Sequence, residues 1–221
     1  HDDIALYADE ARETPVLTWH GLRQQTEKQP GKPSRCLADF VAPRWDALGQ
    51  PTHLQDYVGV FAVTAGIGVE KREQAFEAAH DDYSAIMLKA LADRFAEAFA
   101  ECMHERVRKD LWGYAAHEKA GLEDLIAEKY QGIRPAPGYP ACPDHSVKKQ
   151  MFELLQCEEI GMSLTSSLAM TPAASVSGFY LSHPDSQYFN VGKVGEDQVH
   201  DLAKRQNLKV SDIQRLLAPN L

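Results

Sequence analysis

Apolar residues recur mostly at four-residue spacing from about Glu73 to Leu111, namely Phe76, Tyr83, Met87, Leu91, Phe95, Phe99 and Cys102, with alanines between them. That period sets an apolar stripe along one face of an α-helix. No proline interrupts it, and Gly113 marks its end. About ten turns is long for one globular helix, which leaves room for a break near His80–Asp82. Shorter helices fit Leu122–Tyr130 and Ser146–Cys157, and a proline-dense stretch that cannot be helical lies between them.

A different pattern precedes and follows these helices. Asp56–Val63 has the β-branched and aromatic composition of a strand, closed by Gly66 and Gly68. Short strands fit 162–165, 174–181 and 188–191, with a turn at His183-Pro-Asp-Ser. Helix returns at Glu196–Gln206 and at Ser211–Leu217, where Ser211 is the expected N-cap with Gln214 at the reciprocal position, and Pro219 stops that helix. Residues 1–20 carry few organising signals, and Gly21–Pro33 reads as a polar surface loop or hairpin. Strand, long helices, strands, helices is the order of an α+β fold. The expectation is a single compact domain over 1–221, with an antiparallel sheet and several helices, one of them long.

Composition narrows the function classes. With 44% hydrophobic residues, 221 residues suffice for one large core or two modest ones. The apolar run Val58–Val69 is too short for a bilayer and is broken by glycines, so no membrane partner is expected. A formal charge of −9 without a basic stripe argues against nucleic acid. Local basic patches remain at Arg106, Arg108 and Lys109 and at Lys148 and Lys149. Four dispersed cysteines, with no CxxC pair, form neither a zinc site nor a disulfide framework, and point to a reducing cytoplasm. The chain begins at His1 with no signal peptide, which suggests a piece of a longer protein.

The chemistry concentrates in Arg134-Pro-Ala-Pro-Gly-Tyr-Pro-Ala-Cys-Pro-Asp-His145. Four prolines stiffen it before any ligand arrives, which lowers the ordering cost of binding. Arg134 offers a planar fork for a carboxylate, and Tyr139 a flat amphipathic surface. A stiff surface connection with Arg134 in a structural ion pair is the equally weighted alternative. Cys142 and His145 are spaced as half a metal site, with no second pair to complete it. Dinucleotide, P-loop and serine-hydrolase motifs are absent. Asp93, Glu97 and Glu101 share one helix face among alanines, and Asp39 is a lone acid in an apolar run.

These segments resemble a known family. Leu37-Ala-Asp-Phe-Val-Ala-Pro43, His80-Asp-Asp-Tyr83, His104-Glu-Arg-Val-Arg108, Gln131 through Pro143, Ser175-Val-Ser-Gly178 and Ser182-His-Pro-Asp-Ser186 occur in the order found in the activation domain of cobalamin-dependent methionine synthase, and the similarity runs to Leu217-Ala-Pro-Asn220. The resemblance implies S-adenosylmethionine binding. Arg134 would hold the methionine carboxylate, the Ala136 backbone would contact the ligand, and Tyr139 would stand beside the reactive sulfonium as the catalytic-site residue. Asp39 would accept from the amino group, and Tyr188 and Phe189 would border the ligand. Phe189 replaces the second of two tyrosines expected there, which removes a hydroxyl and leaves main-chain contacts.

The implied role is reductive methylation of cob(II)alamin, with an electron from flavodoxin or a flavodoxin-like reductase. The methyl transfer from methyltetrahydrofolate to homocysteine belongs to the full enzyme. Cobalamin would be bound by another domain of the same polypeptide, and zinc only by another domain. Asp93 and Glu97 would contact the cobalamin-binding domain. Two other classes stay open: a stand-alone S-adenosylmethionine-binding accessory of a separate corrinoid protein, and a non-enzymatic docking module.

Overall fold

A computed structural model describes residues 2–221. The elements in chain order are β1 (Asp3–Tyr7), β2 (Pro15–His20), β3 (Gly59–Thr64), α1 (Val69–Ala78), α2 (Asp82–Arg106), α3 (Leu122–Ile126), α4 (Lys148–Leu154), β4 (Ser163–Leu164), β5 (Met170–Thr171), β6 (Ser175–Tyr180), α5 (Glu196–Gln206) and α6 (Val210–Leu216). The class is α+β with one long helix. The strands form three two-stranded sheets, β1-β2, β3-β6 and β4-β5, rather than one sheet. Contacts divide the chain into two compact units. One comprises the residues up to Gly59, Gln131–Val147 and Phe179–Leu221, and the other comprises Val60–Tyr130 and Lys148–Gly178.

In the first unit, β1 and β2 pair antiparallel, with Ile4 opposite Trp19 and Leu6 opposite Leu17. Ile4, Leu17 and Trp19 are buried, and the Trp19 ring stacks on Phe179 at 4.5 Å. The sequence does not announce this hairpin, because each strand alternates over too few residues to establish a period. The loop at Gly21–Pro33 is polar but anchored: Gln24 donates to the Asn190 carbonyl at 2.7 Å and accepts from the Arg35 N–H at 3.1 Å.

Helices α5 and α6 close this unit over a core of Leu22, Val191, Val194, Val199, Leu202, Ala203, Ile213 and Leu217. Helix α5 has Glu196 and Asp197 in its first turn and Lys204 and Arg205 in its last, matching the helix dipole. It ends at Asn207 in left-handed conformation. Helix α6 starts earlier than expected, with Lys209 as N-cap two residues before Ser211, which lies inside the first turn. Residues 188–191 form no strand. Val191 is fully buried there, and its N–H donates to the Pro140 carbonyl at 2.9 Å.

In the second unit the expected long helix is split as the sequence allows. His80 has φ of +57°, and the Asp81 carboxylate caps α2 by accepting from the Ser84 N–H at 3.1 Å. The face that α2 buries is not the aromatic stripe. Ala85, Ala92, Ala96, Ala100 and His104 point inward, and the small side chains let neighbouring backbone approach. Tyr83, Leu91, Phe95 and Phe99 are exposed instead, Tyr83 to 74% and Phe95 to 66%.

A π-helical turn at Val107–Leu111 continues α2 and directs Arg108 inward. Its guanidinium is fully buried, donates to both Glu118 oxygens at 2.7 and 2.8 Å, and lies 3.9 Å over the Tyr130 ring. Lys148 is buried too, and its Nζ donates to the Leu168 carbonyl at 3.3 Å. The two basic patches read from the sequence therefore lose these members. A charge adjacent in sequence is a surface patch only where the local helix turns it outward, and the π turn rotates Arg108 into the interior. No helix among the described residues is long and apolar enough to cross a membrane.

Candidate functional site

The proline-dense segment of the first unit is held at three places. At its start, Ile133 and Leu181 exchange both backbone hydrogen bonds, at 2.9 and 3.0 Å, and Phe179 N–H donates to the Pro135 carbonyl at 2.9 Å. At its middle, the chain turns back on itself. Tyr139 N–H donates to the Ala136 carbonyl, Cys142 N–H to the Tyr139 carbonyl, and Gly138 N–H to the Cys142 carbonyl, at 3.1, 2.9 and 2.8 Å. The Cys142 thiol also donates to the Ala136 carbonyl at 2.8 Å. Past the turn, the Val191 N–H bonds to Pro140, as above.

Gly138 is required in this turn. Its φ is +96°, and a Cβ there would lie 2.1 Å from Cε1 of His145. His145 therefore fills the space beneath the turn and Cys142 ties its base. This is what the CxxH spacing serves, and no group of three or more metal-type ligands exists among the described residues. We predict that Gly138→Ala costs about 1–3 kcal/mol in denaturant unfolding, from the left-handed backbone together with displacement of His145. Adding His145→Ala should restore only the steric part. An unchanged midpoint for the single variant would show that the turn is not conformationally demanding.

The side chains that this scaffold presents are the ones with binding chemistry. Arg134 is half-buried, and its backbone N–H donates to the Tyr188 hydroxyl at 3.0 Å. That bond joins the stretch after His183-Pro-Asp-Ser to the start of the proline segment. Tyr139 is 57% exposed and Tyr188 38% exposed. A guanidinium and two accessible aromatic faces thus stand on one hydrogen-bonded frame, a set suited to a carboxylate and a soft cation. Ala136 contributes its carbonyl to the turn itself. Phe189 packs, half-buried, against the α5–α6 core.

Asp39 occupies a short 3-10 turn, Leu37–Phe40. Its Oδ2 accepts from the Cys36 N–H at 2.9 Å and from Arg23 Nη1 at 2.8 Å, and its Oδ1 accepts from Arg23 Nη2 at 2.7 Å. Arg23 also bonds Asp2, at 2.6 Å from Nη2 to Oδ1. Burial pushes the Asp39 carboxyl up, but the Arg23 and Cys36 hydrogen bonds outweigh it and hold the group below the usual range. Phe40 next to it lies 6.0 Å from the His183 ring, tying this turn to the His183-Pro-Asp-Ser turn. Arg23 was not among the residues singled out from the sequence. It sits in a polar loop, and its pairing with Asp39 spans sixteen residues with no local pattern to reveal it.

Asp93 and Glu97 lie in the second unit, exposed on α2. Asp93 borders a cavity of about 580 Å³ with Glu73, Lys89, Ala92, Met170 and Pro172. Lys89, at the spacing to pair with Asp93, bonds Glu73 instead at 2.5 Å.

Comparison with known proteins gives the same result from two directions. Residues 1–207 match the family model described as the vitamin B12 dependent methionine synthase, activation domain. The fold is similar to a crystal structure described as the MetH reactivation domain bound to AdoHcy, with a TM-score of 0.92 and 56% sequence identity. That similarity covers 100% of this chain and 66% of the other. Match and fold together show that this chain belongs to the activation-domain family of vitamin B12 dependent methionine synthase.

Proposed function

We propose that the chain binds S-adenosylmethionine and supports reductive methylation of cob(II)alamin in a cobalamin-dependent methionine synthase. The observation that carries this reading is the pinned Arg134–Cys142 turn, with Arg134, Tyr139 and Tyr188 around it, in a fold 56% identical to a reactivation domain bound to AdoHcy. AdoHcy is S-adenosylmethionine without its transferable methyl group, and both share the amino-acid end that Arg134 suits. Arg134 holds the carboxylate, the Ala136, Tyr188 and Phe189 backbones border the ligand, and Tyr139 stands beside the sulfonium.

The protein's part in methyl transfer is placement, since the cofactor supplies the chemistry. Cobalamin is carried by another domain of the same polypeptide, flavodoxin or a flavodoxin-like reductase in the cytoplasm supplies the electron, and zinc belongs to a further domain. The full enzyme transfers methyl from methyltetrahydrofolate to homocysteine. Calorimetric titration with S-adenosylmethionine tests the binding step directly, and absence of heat at millimolar ligand would remove the proposal.

Asp39 enters this reading as the acceptor for the ligand's ammonium group. A carboxylate has about four lone-pair directions, and Arg23 and Cys36 take three of those on Asp39. One direction on Oδ1 remains for a ligand. Asp39→Asn should weaken binding, because the ionic part of the contact is lost. It should also change the acid limb of unfolding. A carboxyl depressed in the folded state adds stability above its unfolded pKa, and that stability is lost as pH falls through the lower folded value. The Asn variant should therefore be less stable than wild type at neutral pH and converge with it in acid. Weakened stability with unchanged ligand affinity would assign Asp39 to the Arg23 frame alone.

For Asp93 the proposed role is contact with the cobalamin-carrying domain. Asp93→Asn should slow remethylation of cobalamin, followed by absorbance with a separately purified cobalamin domain and a reductant. S-adenosylmethionine affinity should be unchanged. Equal rates for variant and wild type would exclude that contact.

A further inference from the structure

Every residue from Arg134 to Pro140 is a proline or precedes one, with the exception of Gly138. A proline ring fixes its own φ and confines the residue before it to extended backbone. Gly138 has neither restraint and no Cβ, so it is the soft joint of an otherwise stiff segment. The joint lies directly before Tyr139, which stands beside the sulfonium in the proposed ligand site. Among the described residues the Tyr139 side chain makes no hydrogen bond and no ring contact, and it is 57% exposed. Its direction is therefore set by the backbone, and above all by Gly138.

Two residues hold that joint, and neither touches the ligand in the reading above. The Cys142 carbonyl accepts the Gly138 N–H at 2.8 Å, and the Cys142 N–H donates to the Tyr139 carbonyl at 2.9 Å. The Cys142 thiol donates to the Ala136 carbonyl at 2.8 Å, and that carbonyl also accepts the Tyr139 N–H at 3.1 Å. Both lone pairs of the Ala136 carbonyl are then engaged within the turn. His145 supplies the packing: a Cβ at Gly138 would lie 2.1, 2.6 and 2.8 Å from Cε1, Nε2 and Nδ1 of its ring. The ring edge thus occupies the space where a side chain would sit. Together the Cys142 bonds and the His145 ring keep Gly138 at φ +96°.

We propose that Cys142 and His145 are positioning residues: by locking Gly138 they aim Tyr139 at the ligand's sulfonium, and so favour S-adenosylmethionine over AdoHcy. This inference rests on the placement of Tyr139 in the proposed function. A joint set in advance removes an ordering cost from binding. An aromatic face attracts a cation far more than a neutral thioether, so loosening Tyr139 falls mainly on the sulfonium ligand. Arg134, which takes the carboxylate, serves both ligands alike.

The measurement is the ratio of two dissociation constants, AdoHcy over S-adenosylmethionine, from calorimetric titration of the 221-residue chain. Cys142→Ala and His145→Ala should each lower that ratio by about three- to tenfold. Cys142→Ser keeps a donor and His145→Phe keeps a flat ring, so both should stay within about twofold of wild type. Tyr139→Ala should lower the ratio at least as far, and adding either alanine to it should lower the ratio no further. A ratio that falls with Tyr139→Ala but not with Cys142→Ala or His145→Ala would overturn the positioning role and leave the ligand reading standing. A ratio unmoved by Tyr139→Ala would remove Tyr139 from the sulfonium, and the proposal with it. Thermal unfolding of each variant separates a purely structural role. Equal weakening of both ligands, with a melting temperature lowered by more than about 10 °C, would assign the pair to stability alone and overturn the proposal.

Discussion

Replacing Arg134 with alanine is expected to weaken S-adenosylmethionine binding by about 2–4 kcal/mol, or roughly 30- to 700-fold in Kd. The variant removes a charge-assisted contact and leaves the ligand carboxylate facing a site without its counter-charge. Arg134→Lys should recover only part of the loss, because an ammonium cannot present two parallel N–H groups to a carboxylate. The fold should barely respond. The residue's backbone contact to Tyr188 survives in both variants, and the turn behind it is held by backbone bonds and Cys142. Calorimetric titration together with thermal unfolding separates the outcomes. Equal affinity in all three proteins would take Arg134 out of the ligand site, and a large fall in melting temperature would make it a structural ion-pair residue.

Tyr188 offers a finer probe of the same frame. Its hydroxyl is the acceptor for the Arg134 N–H, so the pairing of the two segments depends on an atom that a phenylalanine lacks. The neighbouring Phe189 has no hydroxyl to offer and packs its ring against the α5–α6 core.

What the sequence reveals and what it hides divide along physical lines. Proline acts locally, so the stiff 134–145 segment could be read directly, and the break before α2 followed from the length of the periodic stretch, with His80 in left-handed conformation and Asp81 as cap. Periodicity located α2 but could not say which face is inside. The aromatic stripe is the more hydrophobic face, yet the alanines are the buried one, because close backbone approach selects small side chains. The β1–β2 hairpin, the Arg23–Asp39 pair and the buried Arg108 all depend on partners distant in sequence or on an irregular helical turn. None leaves a local pattern. Residues 188–191 read as a strand from their aromatic and β-branched character. In the fold that character serves core packing by Phe189 and Val191 without a sheet neighbour.

Arg108 carries the largest expected effect on stability. It is wholly buried, gives both Glu118 oxygens a hydrogen bond, approaches Glu101 at 3.9 Å, and covers the Tyr130 ring. Substitution with methionine keeps much of the volume but leaves the Glu118 carboxylate, 9% exposed, without its counter-charge. Breaking a buried pair from one side costs about 3–5 kcal/mol, far more than the pair's net contribution when both partners are exchanged for apolar residues. Arg108→Met should therefore lower the unfolding midpoint strongly, by roughly 6–20 °C for a chain of this size. Arg108→Met with Glu118→Leu should recover most of that loss, since the more deeply buried of the two facing carboxylates is no longer stranded and only the partly exposed Glu101 loses its counter-charge. The π turn gives the pair a second role that the double variant can expose. Arg108 is drawn inward by Glu118 across ten residues of intervening chain, so removing both should relax Val107–Leu111 towards a regular helix even as stability returns. Amide hydrogen exchange over residues 107–113 would report that change. A double variant as unstable as the single one would mean that the cavity and the lost Tyr130 contact dominate, not the stranded carboxylate.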